Sequence, residues 1–480
     1  KLYKMWVDTK ETVALTNSPK APGTVSWSKD DRFLAYNMFV PAKANSIIKM
    51  PPKPEGAKWD SPPIYIDKIN YRGDGQGYLK EGNMQLFTLP IDGGTPKQLT
   101  FSGFDHGAPI WSNDGKNLYY SANYHEEDEF VPRETNIFKI DIYDGKIDTL
   151  TNRYGPDFGP NLSPDGTKIA YTGFDDTHQG YQVTHLYLMN SDGSNAKLIS
   201  KDFDRDVSNV IWKSDGKSVY FQYDDKGDTK LANITLSGKV SVIAKGLGGL
   251  SLGRPYNQAS FTSSKNDRFA FTLGGTKHPA DLSVGDDKSS KRLTALNDDL
   301  FSFRNLGDVE EIWWESSFDQ RKVQGWIVTP PNFDPKKKYP LILEIHGGPF
   351  ASYGSVYSAE IQAFAAAGYV VLYSNPRGST GYGEEFGNLI HHDYPNHDYD
   401  DLMSGVDAVI KKGFIDDKNL FVTGGSGGGV LTAWIVGKTD RFKAAVVAKP
   451  VINWYSFVLY ADGVQFFSKY WFPNKPWEDP

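Results

Sequence analysis

The sequence predicts two domains, an incomplete β-propeller over residues 1–306 and an incomplete α/β-hydrolase fold over residues 307–480. Three observations predict this: a repeat of about 50 residues in the first part, alternating strands and helices in the second, and a glycine-flanked serine between a strand and a helix. Length alone asks for more than one hydrophobic core, since the chain has 480 residues and single cores stop growing at roughly 250–300.

The repeat unit is Trp-Ser-x-Asp-Gly-Lys followed by an alternating strand. It stands as Trp27-Ser28-Lys29-Asp30-Asp31, Trp111-Ser112-Asn113-Asp114-Gly115 and Trp212-Lys213-Ser214-Asp215-Gly216, with degenerate copies at Leu162-Ser163-Pro164-Asp165-Gly166 and Ser263-Ser264-Lys265-Asn266-Asp267. The second position recurs at residues 112, 163, 213 and 264, in steps of 51, 50 and 51. Each unit reads as strand, Asp-Gly turn, strand and a further hairpin, which gives the four short strands of a propeller blade. The first step, from 28 to 112, is 84 residues, so this unit carries roughly 33 extra residues. They fall between Pro41 and Gly82 in a stretch holding Pro51, Pro52, Pro54, Pro62 and Pro63, and read as a long loop on one rim. Residues 1–16 match only a closing hairpin, so about five blades are expected after a partial one. The repeated residues are read as turn and core chemistry without a catalytic role.

After Leu306 the pattern changes. A hairpin over residues 309–329 leads through Pro330-Pro331 and Lys336-Lys337-Lys338 to a βαβ series. Strands are expected over 341–345, read as a continuous apolar run, and over 369–373, 420–423 and 444–448; helices are expected over 359–367, 400–412 and 428–436. Such a series implies a parallel sheet with right-handed crossovers.

Gly424-Gly425-Ser426-Gly427-Gly428 fits Gly-x-Ser-x-Gly, a weak signal by itself, because Gly249-Leu250-Ser251-Leu252-Gly253 fits equally well. Context separates them. Ser426 lies between an apolar strand and a helix, as a nucleophile elbow requires, whereas no helix follows Ser251. The tight turn needs small residues two before and two after the serine, which Gly424 and Gly428 supply. The Gly427 N–H, free at a helix start, would stabilise a developing oxyanion. A second donor is expected from His346-Gly347-Gly348-Pro349, directly after a strand. All nine histidines precede Ser426, whereas the triad order of this fold class is Ser, acid, His; His346, His391, His392 and His397 are therefore read as turn or surface residues. The residues after Ser426 include Asp440, Asp462, Glu478 and Asp479 but no histidine, so either the hydroxyl is inert or the chain is incomplete, and the unfinished sheet favours the second.

Taken in order, the repeats, the 309–329 hairpin, His346-Gly347-Gly348-Pro349, Asn375-Pro376-Arg377-Gly378-Ser379-Thr380-Gly381-Tyr382-Gly383, Asp400-Asp401, Gly405-Val406-Asp407 and Gly425-Ser426 resemble the prolyl oligopeptidase family, nearest its acylaminoacyl peptidase and dipeptidyl peptidase branches. The resemblance implies a serine peptidase acting on short peptides without metal or organic cofactor. It implies Ser426 as nucleophile, the N–H groups of Gly348 and Gly427 as oxyanion donors, a triad acid and histidine beyond Pro480, and one or two blades before Lys1. Members often pair into dimers, which extends to a homodimer here. One departure stands out, since the residue after the serine is commonly Tyr in these branches and is Gly427 here. The acidic run His125-Glu126-Glu127-Asp128-Glu129 offers Glu126 and Glu127 as anchors for a peptide's α-amine, against the plainer reading of a solvated loop. Two rival functions stay open: a catalytically silent propeller that binds a partner, and an esterase on the same chemistry.

Composition excludes other classes. With 52 basic and 59 acidic residues the formal charge is −7, which gives no reason to expect a nucleic-acid partner, and no apolar run is long enough to span a bilayer. The chain lacks cysteine, which removes disulfides and thiolate sites and is compatible with either cytosol or periplasm.

Overall fold

In the computed structural model, residues 1–43, 47, 51–60 and 63–478 are described; Pro62 and Asp479, named above, lie outside the described residues. The first half is a succession of antiparallel sheets. After a hairpin of Tyr3–Met5 and Thr12–Ala14, Pro22–Trp27, Phe33–Pro41, Gly82–Pro90 and Lys97–Gln98 form the first four-stranded sheet. Ile110–Trp111 to Ile147–Thr149 and Asp157–Leu162 to Lys197–Leu198 form the next two. Two further four-stranded units, Ser208–Trp212 to Val240–Leu247 and Phe261–Ser263 to Ser289–Arg292, join through the pair Leu247–Leu273.

The repeat residues explain this architecture. Within a unit, the Ser112 hydroxyl donates to Asp114 Oδ1 at 2.6 Å and accepts the Asn117 N–H at 2.9 Å, closing the turn between the first two strands. Ser28 and Ser163 do the same with Asp30 and Asp165, and these hydrogen bonds hold both carboxyls down at about 2. Between units, the buried tryptophans reach back to the preceding sheet. Trp111 Nε1 donates to Ser26 O at 3.1 Å and Trp212 Nε1 to Asn161 O at 2.8 Å. Asn161 and Asn209 reach forward, to Val210 O and Phe261 O. The repeat is thus a sheet-to-sheet fastener as well as a turn, whereas Trp27 in the first copy is 52% exposed.

The second half is a six-stranded mixed sheet of β1 (Val309–Glu315), β2 (Lys322–Val328), β3 (Tyr339–Ile345), β4 (Val370–Asn375), β5 (Ile415–Gly425) and β6 (Ala444–Ala448), in the order β1-β2-β4-β3-β5-β6. The first two strands run antiparallel to their neighbours, while β4, β3, β5 and β6 are parallel. Helices α1 (Ala359–Ala366), α2 (Asp398–Lys411) and α3 (Gly427–Lys438) connect the parallel strands. One core, with Leu343, Leu372, Val406 and Ile435, lies on one face, and Trp326, Tyr353, Tyr373 and Ala365 pack on the other. The strand β5 runs five residues earlier than its apolar run suggests, since Asp416-Asp417-Lys418-Asn419 masks a start that pairs Ile415 with Tyr339. Two short helices after β6, α4 (Trp454–Tyr460) and α5 (Val464–Tyr470), are absent from the sequence-based pattern; they return the chain to the first half, where the Tyr470 hydroxyl donates to Asp176. No helix among the described residues is long and apolar enough to cross a membrane.

Candidate active site

Ser426 stands between β5 and α3 at φ 59°, ψ −119°, a backbone conformation that costs a non-glycine residue of order 1–3 kcal/mol and that the surrounding structure must impose. The imposition is visible. A side chain on Gly424 would collide with the Gly428 backbone, and one on Gly428 with the carbonyls of Ile345 and His346, so both glycines are sterically required. The Ser426 N–H is held by Ala448 O of β6 at 3.0 Å, and Ser426 O accepts from Val430 N in the first turn of α3. The result is an exposed serine at the C-terminal end of β5.

Both expected oxyanion donors meet there. A Cβ on Gly427 would lie 3.0 Å from the Gly348 nitrogen, and one on Gly347 would lie 3.3 Å from Ser426 Cβ. Glycine at 427 is therefore what lets the two loops approach so closely. The orientation of Gly348 N–H follows from the planarity of its peptide, whose carbonyl is Gly347 O. That carbonyl accepts from His346 Nδ1 at 2.7 Å, so fixing it aims the Gly348 N–H the opposite way. His346 Nε2 faces the Ser379 hydroxyl at 2.9 Å, and burial pushes the ring down to about 4, so it stays neutral. Its role is to hold the loop, not to accept a proton. The Asn375–Gly383 segment supplies the rest of the support. Asn375 exchanges two 2.8 Å hydrogen bonds with the Tyr353 backbone, Thr380 N donates to Ala351 O, and Arg377 forms a buried pair with Asp401.

The other histidines are engaged elsewhere. His391 Nδ1 accepts from Gly180 N, His392 stacks on His391 at 3.7 Å, and His397 faces Asp400 at 2.9 Å while stacked on Phe318. Among the described residues, Ser426 Oγ has no hydrogen-bond partner. Ser251, the rival serine, donates to Arg254 O at 2.7 Å and closes a loop.

A cavity of about 510 Å³ opens on Gly348 between the two halves, with Arg133, Tyr181, Asp206, Phe350 and Trp471 in its wall. Asp206 is pushed up by burial, and it accepts from Thr184 N and the Tyr181 hydroxyl. Arg133 is the feature that sequence reading missed. Its guanidinium lies over the rings of Tyr470, Phe466 and Phe174 at 4.2, 4.6 and 5.3 Å, and its Nη1 is buried without a hydrogen-bond partner. Burial pulls this cation below its ordinary range, so an acceptor entering the cavity would satisfy it. Glu126 and Glu127, by contrast, are exposed on a turn over residues 125–130 and are not in the wall of the cavity.

Comparison with known proteins bears on these features. The model of the prolyl oligopeptidase family matches residues 355–480. A Bacillus subtilis protein named as an uncharacterized peptidase, YuxL, is 32% identical over 495 aligned positions, covering 100% of this chain and 73% of the relative. Dipeptidyl-peptidase 5 of Porphyromonas gingivalis is 28% identical over 347 positions, covering 70% of this chain and 49% of that protein. Among solved structures, an acylaminoacyl peptidase of Pyrococcus horikoshii superposes with a TM-score of 0.80 at 22% identity, covering 98% of this chain and 70% of that one. The chain thus spans from about half to three-quarters of the length of these relatives.

Proposed function

The chain belongs to the prolyl oligopeptidase family of serine peptidases, and from that premise we propose that it carries the nucleophile and oxyanion hole of a hydrolase for short peptides. Ser426 Oγ attacks the scissile carbonyl, and the N–H groups of Gly348 and Gly427 receive the charge that develops on its oxygen. An acyl-enzyme forms on Ser426 as the amine leaves, and water then releases the acyl group. Membership of the family implies a histidine paired with an acid as the proton acceptor; His346, His391 and His397 are each engaged away from Ser426. The observation that carries this reading is the strained Ser426 backbone beside the Gly348 loop, a conformation that leaves the serine exposed at the helix start.

The successive sheets of the first half are, in this proposal, blades of a propeller, and the 510 Å³ cavity is where the peptide lies. A cavity of this size admits a few residues, which suits an exopeptidase of the acylaminoacyl or dipeptidyl type. Arg133 then donates to a substrate carbonyl or carboxylate oxygen. Glu126 and Glu127 remain the proposal for an α-amine anchor with the least structural support, since nothing places them at the cavity.

The test is labelling of the full gene product by a fluorophosphonate probe, expected for the natural chain and absent for Ser426→Ala. Labelling that survives the substitution refutes the assignment. Absent labelling together with retained peptide binding would favour the silent binding module, and ester turnover far above peptide turnover would favour the esterase.

A further inference from the structure

The second Gly-x-Ser-x-Gly segment, Gly249-Leu250-Ser251-Leu252-Gly253, bonds to the second half of the chain. Residues 249–256 leave the sheet units of the first half and lie across the oxyanion loop of the second. Leu252 O accepts the Ala359 N–H at 2.8 Å, and Gly253 O accepts from Glu360 N at 3.1 Å and the Ser358 hydroxyl at 2.7 Å. These are free donors of the first turn of α1, which a helix start must otherwise leave to water. Pro255 O then takes Gly354 N at 2.8 Å, and the rings of Tyr256 and Tyr353 meet edge-on at 4.8 Å.

Two side chains of this strap reach the loops beside Ser426. The Tyr256 hydroxyl accepts the Gly347 N–H at 2.8 Å. Arg254 Nε pairs with Glu360 at 2.9 Å and with the fully buried Glu344 of β3 at 3.3 Å, and its Nη1 lies 2.9 Å from where a Cβ on Gly425 would be. Gly347 therefore has both polar groups pinned, its N–H by Tyr256 and its carbonyl by His346, and only the second pin comes from its own half.

We propose that Tyr256 and Arg254 are positioning residues, which make the aim of the Gly348 N–H depend on how the first half of the chain is seated on the second. This rests on the reading of Ser426 and Gly348 above. Neither residue touches the reacting atoms; Tyr256 holds the His346–Gly347 peptide, the one directly before the peptide that carries the Gly348 N–H, and Arg254 acts through Glu344 and the elbow. A misplacement well under an ångström at the hole is enough to slow the chemistry without weakening ground-state binding.

The test uses the full gene product with a short peptide p-nitroanilide. Tyr256→Phe, which removes one hydroxyl, is expected to lower kcat about 10- to 100-fold with KM within about threefold, and to speed amide hydrogen exchange in residues 346–351. Lys277→Met breaks other bonds between the halves, to Gly307 O at 2.8 Å and Asp308 at 2.7 Å, beside the Val309 end of β1 and away from the strand ends that carry the Gly348 and Ser426 loops, and is expected to leave both readouts unchanged. An unchanged kcat in Tyr256→Phe overturns the proposal, as does an equal loss in Lys277→Met. If the natural chain is not labelled at Ser426, the nucleophile assignment falls separately. Exchange then decides the positioning role: faster exchange in Tyr256→Phe alone upholds it, and unchanged protection overturns it.

Discussion

Gly427 packs against Gly348 so closely that a methyl group on it would stand 3.0 Å from the Gly348 nitrogen and 3.0 Å from its carbonyl carbon. The neighbour is backbone and has no flexible end to swing aside. Gly427→Ala is therefore expected to push the loop by a few tenths of an ångström and to cut kcat about tenfold, with KM little changed. Steady-state kinetics on a short peptide substrate checks this; an unchanged kcat would mean that the two loops need not touch for catalysis.

Gly428→Ala tests the elbow itself. Its new Cβ would collide with Ile345 O on β3, and neither strand nor helix can move without breaking the parallel pairing of β3 with β5. A loss of about 3 kcal/mol in urea unfolding is expected, near the upper end for overpacking. Gly437→Ala, on the same helix with open space around it, serves as the comparison and should cost nothing.

Arg133→Met keeps the long side chain over Tyr470, Phe466 and Phe174 and removes the charge. A hydrogen bond to a charged group is worth about 1.5–3 kcal/mol, so KM should rise about 10- to 100-fold while kcat stays nearly constant. Stability should change little, because the desolvation of the buried Nη1 is relieved while the cation–π contacts with the three rings are lost. A fall in kcat with unchanged KM would place Arg133 away from the bound peptide.

Acidification should destabilise the protein through His346. The ring ordinarily titrates near 6.5 and in the fold near 4, so between these values the unfolded chain binds the proton and the folded chain does not. Stability is then fully present above pH 6.5 and is lost as pH falls toward 4, by about 3 kcal/mol. Asp398 has the opposite sign: burial raises it to about 7, so its contribution is lost as pH rises from about 3.8 to 7. Urea midpoints at pH 4.5 and 6.5 should therefore shift less with pH in His346→Asn and lose more stability on acidification in Asp398→Asn.

What the sequence could reveal followed from local rules. The elbow was legible because the clash around Ser426 involves residues two positions away, and the sheet repeat because Trp111 and Trp212 perform the same task in successive units. The His346–Pro349 loop was legible from its place after a strand. Arg133 was not, because its cage joins Phe174 with Phe466 and Tyr470, nearly 300 residues on, and no spacing announces such a meeting. Glu344 was hidden differently. It stands in a strand whose neighbours are all apolar, and it is tolerable there only because Arg254 arrives from the first half and Tyr353 donates to it at 3.0 Å. Burial still raises it to about 7.

The bonds from Leu252 and Gly253 to the start of α1 carry a practical consequence for anyone dividing the molecule. The boundary at residue 306 separates two patterns of sequence, and hydrogen bonds cross it. Cut there, the second half would keep Ser426 yet present α1 with uncapped amides and Glu344 without its cation. A hybrid that grafts this hydrolase half onto another scaffold would have to carry residues 249–256 with it.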